Sequence, residues 1–290
     1  MGHDLESVFP ADDNLREFIR QALAEDVGTG DVSTQVSVSP TETGAGSLVS
    51  RQEGVVAGLP LLDLLYGELD PTVGVERIVT DGTPVKQGAV VARLEGPVSS
   101  LLTGERTALN FLQFLGGIAS LTARYVAAVA GTSCRVLDTR KTLPGYRALS
   151  KYAVLCGGGS NHRMGLYDRV MVKDNHWAAG QGHVEGIVAC ARREFPHLAV
   201  EVEVDTLEQL EQVLPLQVDW VLLDNFNLAD TAAAVQQRDA SGVDTLLESS
   251  GNISLATIAG YAQAGVDAAS VGRLTHSVTA LDLGLDLESR

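Results

Sequence analysis

Residues 135–173 hold eight of the chain's 21 Lys and Arg but only two of its 37 Asp and Glu, in a protein whose formal net charge is −16. The cations are Arg135, Arg140, Lys141, Arg147, Lys151, Arg163, Arg169 and Lys173, interleaved with Gly, Asn and His. A concentrated positive field in an acidic chain suits a small polyanion. Nucleic acid would ask for a basic domain face, which this composition excludes. The planar fork of Arg donates two parallel hydrogen bonds to a carboxylate. A dicarboxylate therefore calls for several Arg and Lys converging from different loops. Arg140-Lys141 follow a short apolar run ending at Asp138, His162-Arg163 follow a glycine run, and Lys173 ends the next apolar run. In a parallel barrel these positions meet at one mouth, with Thr139 and Asn161 as neutral donors.

Two carboxylates, Glu203 and Asp224, end successive apolar runs. Acids at neighbouring strand ends hold ribose hydroxyls, a magnesium ion or a developing positive charge. Asp205, beside the helical pattern 206–214, reads instead as a helix cap. The segments SSGNIS (249–254) and SVGRLT (270–275) are glycine turns after strands, whose backbone N–H groups suit phosphate.

Other chemistries fit less well. Cys134, Cys156 and Cys190 are odd in number and far apart, against a disulfide framework or a zinc site and in favour of a reducing cytoplasm. Cys156 has no activating partner nearby in sequence. A Schiff-base enzyme built on Lys173 would need an apolar pocket around it, and Asp174 follows directly. The glycine-punctuated stretch 79–95 resembles a lipoyl or biotinyl hairpin, but Lys86 lacks the setting of a carrier lysine and reads as part of a structural turn.

The elements that must position these groups follow from periodicity. Residues 12–25 read as a helix, and 45–58 and 75–95 as strands with turns. Thr103 is expected to cap a helix over 104–130, with Gly116-Gly117 as a kink or close packing point. That segment carries Asn110, Gln113 and Arg124, so it reads as a core helix and not a membrane span. The acidic first 26 residues lack the apolar run of a signal peptide. From residue 133, six Val- and Leu-rich runs (CRVLD, RVMVK, AVEVEV, WVLLD, DTLLE, AASVG) alternate with helical patterns at 184–194, 206–214, 228–237 and 254–263. This alternation means a parallel α/β fold with six strands, fewer than the usual barrel. The closing VTALDLGLDL alternates with period two and reads as a strand returning to the N-terminal part.

The segments GERTALNFLQFLGGIAS (104–120), the block from LDTRKTLPG to VMVKDNH (137–176), EVEVDTLEQL (201–210), VLLDNF (221–226), LLESSGNIS (246–254) and VGRLTHSVTALDLGLDL (271–287) resemble the quinolinate phosphoribosyltransferase family, nearly end to end. The resemblance implies an N-terminal α/β sandwich over 1–115, joined by the tail 276–290, and an open α/β barrel over 116–275. It implies a reaction of quinolinate with phosphoribosyl pyrophosphate and Mg2+ that gives nicotinate mononucleotide, pyrophosphate and CO2 in NAD biosynthesis. It further implies a cytoplasmic homodimer in which Arg106 completes the partner's site; read from its own surroundings, Arg106 is a helix-surface charge. Carried over by motif, Arg106, Thr139, Arg140, His162, Arg163 and Lys173 hold quinolinate, and Lys141 lies near the reacting centre and the pyrophosphate. Glu203 and Asp224 face the ribose as its anomeric carbon becomes positive. Ser250, Gly251, Asn252, Val271, Gly272, Arg273 and His276 surround the 5′-phosphate. The magnesium is expected to be held mainly through the pyrophosphate, and its protein ligands stay open. Lys141 or a water is the expected proton donor to ring C2.

Two residues depart from the family's pattern: Asn252 stands where a second Gly is usual, and Arg273 where a small residue is. Asn tolerates the left-handed backbone region, so the turn is expected to survive. Arg273 either strengthens the phosphate site or points to solvent. A related branch of the family, associated with molybdenum uptake operons, shares the fold; the complete Arg/His/Lys set here argues against it.

Overall fold

The structure is a computed structural model that describes residues 4–179 and 183–288. The chain opens with α1 (Asp13–Val27), whose first turn is capped by Asp12 accepting from the Leu15 N–H, and α2 (Val32–Ser37), capped in the same way by Asp31. There follow β1 (Thr43–Ser50), β2 (Gly54–Val55), α3 (Pro60–Leu69), β3 (Gly74–Arg77), β4 (Pro84–Val85), β5 (Val90–Pro97) and the long α4 (Val98–Ala128). Next come β6 (Arg135–Leu137), α5 (Arg147–Cys156), β7 (Val170–Val172), α6 (Asp174–Ala179), α7 (Val184–Glu194), β8 (Val200–Val204) and α8 (Leu207–Val213). The chain closes with β9 (Trp220–Asp224), α9 (Leu228–Ser241), β10 (Leu246–Ser250), α10 (Ile258–Ala264), β11 (Ala268–Ser270), α11 (Arg273–His276) and β12 (Leu283–Leu287).

Two compact units emerge. The first takes the described residues up to Ala123, Ala148–Gly158 and those from Ser277 onward; the second takes Arg124–Arg147 and Gly159–His276. The expected tail 276–290 has its last two residues outside the described part.

The first unit is built on a four-stranded antiparallel sheet in the order β12-β1-β5-β3. The C-terminal strand does return to the N-terminal part: Leu285 pairs with Leu48 and Leu283 with Ser50. β1 buries Gly46, Leu48 and Ser50 on one face, the period-two pattern of a half-covered sheet. The helix expected to start at Thr103 starts at Val98. Thr103 sits inside it, and its hydroxyl donates to Asp31 Oδ2, so it caps nothing. The apolar VSSLL turn simply continues the helix once it is buried against neighbours. Gly116 and Gly117 are a packing point: a Cβ on Gly117 would come within 2.4 Å of the Thr279 carbonyl oxygen. Among the described residues no helix is long and apolar enough to cross a membrane.

The second unit is an open barrel-like sheet of six parallel strands, order β6-β11-β10-β9-β8-β7. These are the six runs read from the sequence. In β8 the valines at 200, 202 and 204 are all buried, while Glu201 and Glu203 alternate with them. Successive side chains of a strand point to opposite faces, so one face of β8 is apolar and the other carries two carboxylates. The helices α8 and α9 start at Thr206 and Asn227, whose side chains accept from the Gln209 and Asp230 N–H groups. The cap of α8 is thus Thr206 and not Asp205. Asp205 instead uses its backbone N–H, which donates to Gln209 Oε1 at 2.6 Å, and the side chain one residue closer to the helix does the capping. On the same inner side, Leu137, Trp220 and Ala268 form a buried apolar cluster with Leu246 against it. The guanidinium groups of Arg135 and Arg169 lie over the Trp220 ring at 5.0 and 5.4 Å.

Candidate active site

The alternation of the strands decides which side chains share a cavity. Met171 in β7 and Lys173 just after it, Glu203 in β8, Leu222 and Asp224 in β9, Glu248 and Ser250 in β10, and Ser270 in β11 line one hollow of about 330 Å³. Loop residues Thr139, Arg140, Lys141, His162 and Arg163 complete it. Where two residues come from one strand or its exit, as at β7, β9 and β10, they are two apart, the inward set of a parallel sheet. The lining lies toward the C-terminal ends of the strands, where such folds place their chemistry.

Four of the eight clustered cations, Arg140, Lys141, Arg163 and Lys173, line this cavity. The others serve the scaffold. Arg147 donates to Thr142 Oγ1 and to the carbonyls of Met164 and Arg140, tying together the two loops that carry the cavity's arginines. Arg169 donates to Glu201 Oε2 at 3.0 Å. Arg135 stacks on Trp220, and Lys151 is buried in α5. Arg163 has its pKa lowered, first by burial and then by Arg140. A guanidinium whose charge is opposed by a neighbouring guanidinium is suited to an anion. A larger cavity of about 450 Å³ in the first unit is lined by Asp4, Glu6 and Asp81 against the single cation Arg77, the wrong sign for an anionic ligand.

Lys173 donates to Glu203 in a close ion pair. Burial, with Asp224 and Asp174 behind it, still lifts the Glu203 pKa above its ordinary value against the pull of Lys173. Asp224 accepts from the Asn225 amide at 2.7 Å.

His162 is buried, and both ring nitrogens are engaged. Nδ1 accepts from the Arg163 N–H at 2.7 Å, and Nε2 faces Glu201 Oε2 at 3.1 Å and Glu248 Oε2 at 3.4 Å. Its backbone N–H donates to the buried Asp138. Burial opposes charge on the ring, yet the two carboxylates outweigh it and lift its pKa to about 9. Glu201 is pressed upward by burial but held low overall by His162 and Arg169. Glu248 is raised, by burial first and by Glu201 second. Glu201 and Glu248 belong to the site, but no role was read for either in the sequence. The available signal was a carboxylate inside an apolar run, two residues before a strand-end group: Glu201 before Glu203, and Glu248 before Ser250.

The glycine turns lie beside the same strand ends. Gly251 and Asn252 both have positive φ, +86° and +53°, so Asn252 takes the left-handed backbone its position demands. Its amide donates to Asn225 Oδ1, and the Asn225 N–H donates to the Ser250 carbonyl, which ties the turn after β10 to the end of β9. At the second turn Gly272 is flanked by the Lys141 stem and the His276 ring: a Cβ there would lie 3.1 Å from Lys141 Cδ and 3.2 Å from His276 Nε2. Thr275 donates to the Lys141 carbonyl, fixing that loop to α11. Val271 is buried beneath the turn, whereas Arg273 and His276 are exposed. Arg106 is exposed on α4 in the first unit, beside Glu105 at 3.8 Å, and does not line the cavity. Cys156 is buried, which pushes its thiol far above the ordinary range and makes it inert as a nucleophile.

The chain that carries this cavity is similar to known proteins over nearly its whole length. The N-terminal and C-terminal domain families of quinolinate phosphoribosyl transferase match residues 31–115 and 118–286. The nicotinate-nucleotide pyrophosphorylase [carboxylating] of Mycobacterium leprae is 46% identical over 95% of this chain and 98% of its own length. A quinolinate phosphoribosyltransferase [decarboxylating] of Nicotiana glauca is 35% identical over 95% of this chain and 83% of its own. The solved nicotinate-nucleotide pyrophosphorylase of Francisella tularensis superposes with a TM-score of 0.89 at 36% identity, covering 97% of this chain and 99% of that one. With both domain families matched in order and relatives aligned nearly end to end, the chain belongs to the quinolinate phosphoribosyltransferase family.

Proposed function

We propose that this cavity joins quinolinate to phosphoribosyl pyrophosphate and releases nicotinate mononucleotide, pyrophosphate and CO2, a step of NAD biosynthesis. The observation that carries the reading is the convergence of Arg140, Lys141, Arg163 and Lys173 on one hollow that also holds Glu203 and Asp224. A dianion and a ribosyl cation need opposite charges within one cavity, and few other reactions do.

Arg140 and Arg163 hold the two carboxylates of quinolinate, with Thr139 as a neutral donor. Lys173 starts out bound to Glu203. When it turns to a substrate carboxylate, Glu203 is released toward the ribose. Glu203 and Asp224 then stabilise the positive charge that grows at the anomeric carbon as pyrophosphate leaves, an interaction stronger in the transition state than in the ground state. Lys141, beside the Gly272 turn, meets the departing pyrophosphate. Mg2+ arrives with that pyrophosphate as part of the substrate. The turns at Ser250–Asn252 and Val271–Arg273, with His276, hold the 5′-phosphate through backbone N–H groups. His162 braces Arg163 and the pocket wall, because its two ring nitrogens are already engaged. Exposed Arg106 reaches the site of a second copy in a homodimer. The three free cysteines fit a cytoplasmic setting.

The test is turnover of quinolinate with phosphoribosyl pyrophosphate and Mg2+, run beside nicotinate. Nicotinate mononucleotide from quinolinate alone, with one CO2 per turnover, is the expected result. Turnover of nicotinate would mean that the cations do not select the second carboxylate, and no turnover by the folded protein would sink the reading. For the dimer, mixing Arg106→Ala with a Lys173→Ala variant should restore activity to the pair; no recovery removes Arg106 from the partner's site.

A further inference from the structure

The proposed reaction leaves one requirement unmet: ring C2 must receive a proton as its carboxylate departs. Arg cannot supply it, because guanidinium does not lose its proton in proteins. Lys173 is tied to Glu203, and Lys141 lies against the glycine turn at the phosphate end. Glu248 is different in kind. It lines the cavity, yet its side chain is fully buried, and neither carboxylate oxygen has a hydrogen-bond partner of good geometry. His162 Nε2 lies 3.4 Å away, and the Ser270 side chain is the other polar group beside it. An ionised carboxylate left unsatisfied in a dry interior is far more costly than the neutral acid.

Charge balance points the same way. Arg169, Glu201, Glu248 and His162 form one buried group around Glu201 Oε2 and His162 Nε2. With both carboxylates ionised and the ring neutral, the group carries a net negative charge. One added proton makes it neutral. That proton belongs to His162 and Glu248 jointly. The two carboxylates draw a proton to this spot, which raises both His162 and Glu248. His162 Nδ1, however, accepts the Arg163 N–H and so cannot carry it; the ring's own hydrogen is on Nε2, and the added proton falls to Glu248. A metal ion at this spot would have to face the Arg169 guanidinium, 3.0 Å from Glu201. The arrangement is therefore a proton store, comparable to a carboxylic acid kept neutral in an apolar site.

We propose, resting on the quinolinate reading above, that Glu248 is the acid of the decarboxylation. The bond from C2 to the carboxylate breaks, CO2 leaves, and the electron pair stays on C2 beside the quaternised ring nitrogen. C2 takes the proton of the Glu248 carboxyl. Glu248 is left as a carboxylate facing the Nε2–H of His162, which with Arg169 and the cavity's Arg140 and Arg163 supports the new charge. It regains a proton from water once the product vacates the cavity.

The experiment is a single turnover of quinolinate labelled at the 2-carboxylate, following pyrophosphate and CO2 separately, in the wild type, Glu248→Gln and Glu248→Asp. In Glu248→Gln, pyrophosphate release should stay within about threefold of wild type, while CO2 release falls by about 10²–10⁴-fold and quinolinate mononucleotide accumulates. Glu248→Asp should recover part of the CO2 rate. In the wild type the CO2 step should slow as pH rises and the acid is lost, a limb absent in Glu248→Gln. Equal loss in both steps, or loss in neither, overturns the proposal, as does a wild-type CO2 step that does not slow at high pH should the variants fail to fold. Absence of pyrophosphate release from quinolinate in the wild type would instead sink the functional reading beneath it.

Discussion

Glu201 and Glu203 lie two residues apart on the same face of β8, yet they are different chemical groups. Glu203 is near the strand end, partly open to the cavity, and answered by a partly exposed Lys173. Glu201 is one layer deeper, fully buried and fixed between Arg169 and His162. The same step separates Ser250 from Glu248 on β10. On β8 a displacement of about 6.6 Å thus converts a carboxylate that meets substrate into one that meets only protein; on β10 the same step leaves Glu248 in the cavity wall but out of reach of water. Charge type alone does not define a catalytic acid. Depth, and the cation that answers the charge, define it.

The widest separation between the two layers should come from paired Gln substitutions. Glu201→Gln leaves Arg169 and His162 without their anion, and breaking a buried pair in this way costs about 3–5 kcal/mol. Urea unfolding should show a clear drop in midpoint. Glu203→Gln should leave that midpoint nearly unchanged and lower kcat by about 10²–10³-fold, the range for losing one charge-stabilising group. If Glu201→Gln unfolds like the wild type, or Glu203→Gln loses chiefly stability, the layered distinction fails.

Acid titration of activity gives a subtler contrast. Glu203 acts as a carboxylate, and its folded pKa is raised. Activity that depends on it is present above that raised value and lost as pH falls through it. The acid limb of kcat/KM should therefore lie above the ordinary Glu range and disappear in Glu203→Gln. A limb at the ordinary Glu value would remove Glu203 from the acid side of the profile.

The glycine turns offer the smaller effects. Gly251→Ala forces a side chain onto φ +86° and a Cβ within 2.1 Å of Asn225 Oδ1. A loss of about 1–3 kcal/mol, with a raised KM for phosphoribosyl pyrophosphate, is expected in thermal unfolding and steady-state assays. Asn252→Gly keeps the left-handed backbone and should shift stability by less than about 1 kcal/mol. A large loss there would show that the Asn252 amide, and not its backbone, holds the turn.

Much of this could be read from residues in order. The run VEVEV must alternate two carboxylates against three buried valines, because a strand has period two. Six such runs with helices between them must form a parallel sheet, and the cations that follow those runs must gather at one end of it. Asn tolerates the left-handed region better than most residues, and Asn252 takes it. Local competition blurred the boundaries: α4 begins at Val98 and not after Thr103, and Thr206 caps α8 in place of its neighbour Asp205.

What the sequence determined by itself is therefore the strand faces, the parallel architecture and the pool of eight cations with the acids that face them. Only the tertiary structure decided which four of those cations reach the cavity, that Arg147 and Arg169 became its braces, and that Glu248 lies where water cannot solvate its charge. The physical reason is that side-chain direction is local, set by backbone geometry every two residues. Depth and protonation depend on how neighbouring strands and loops assemble around a group, and the loss of solvent that follows is a property of the whole fold.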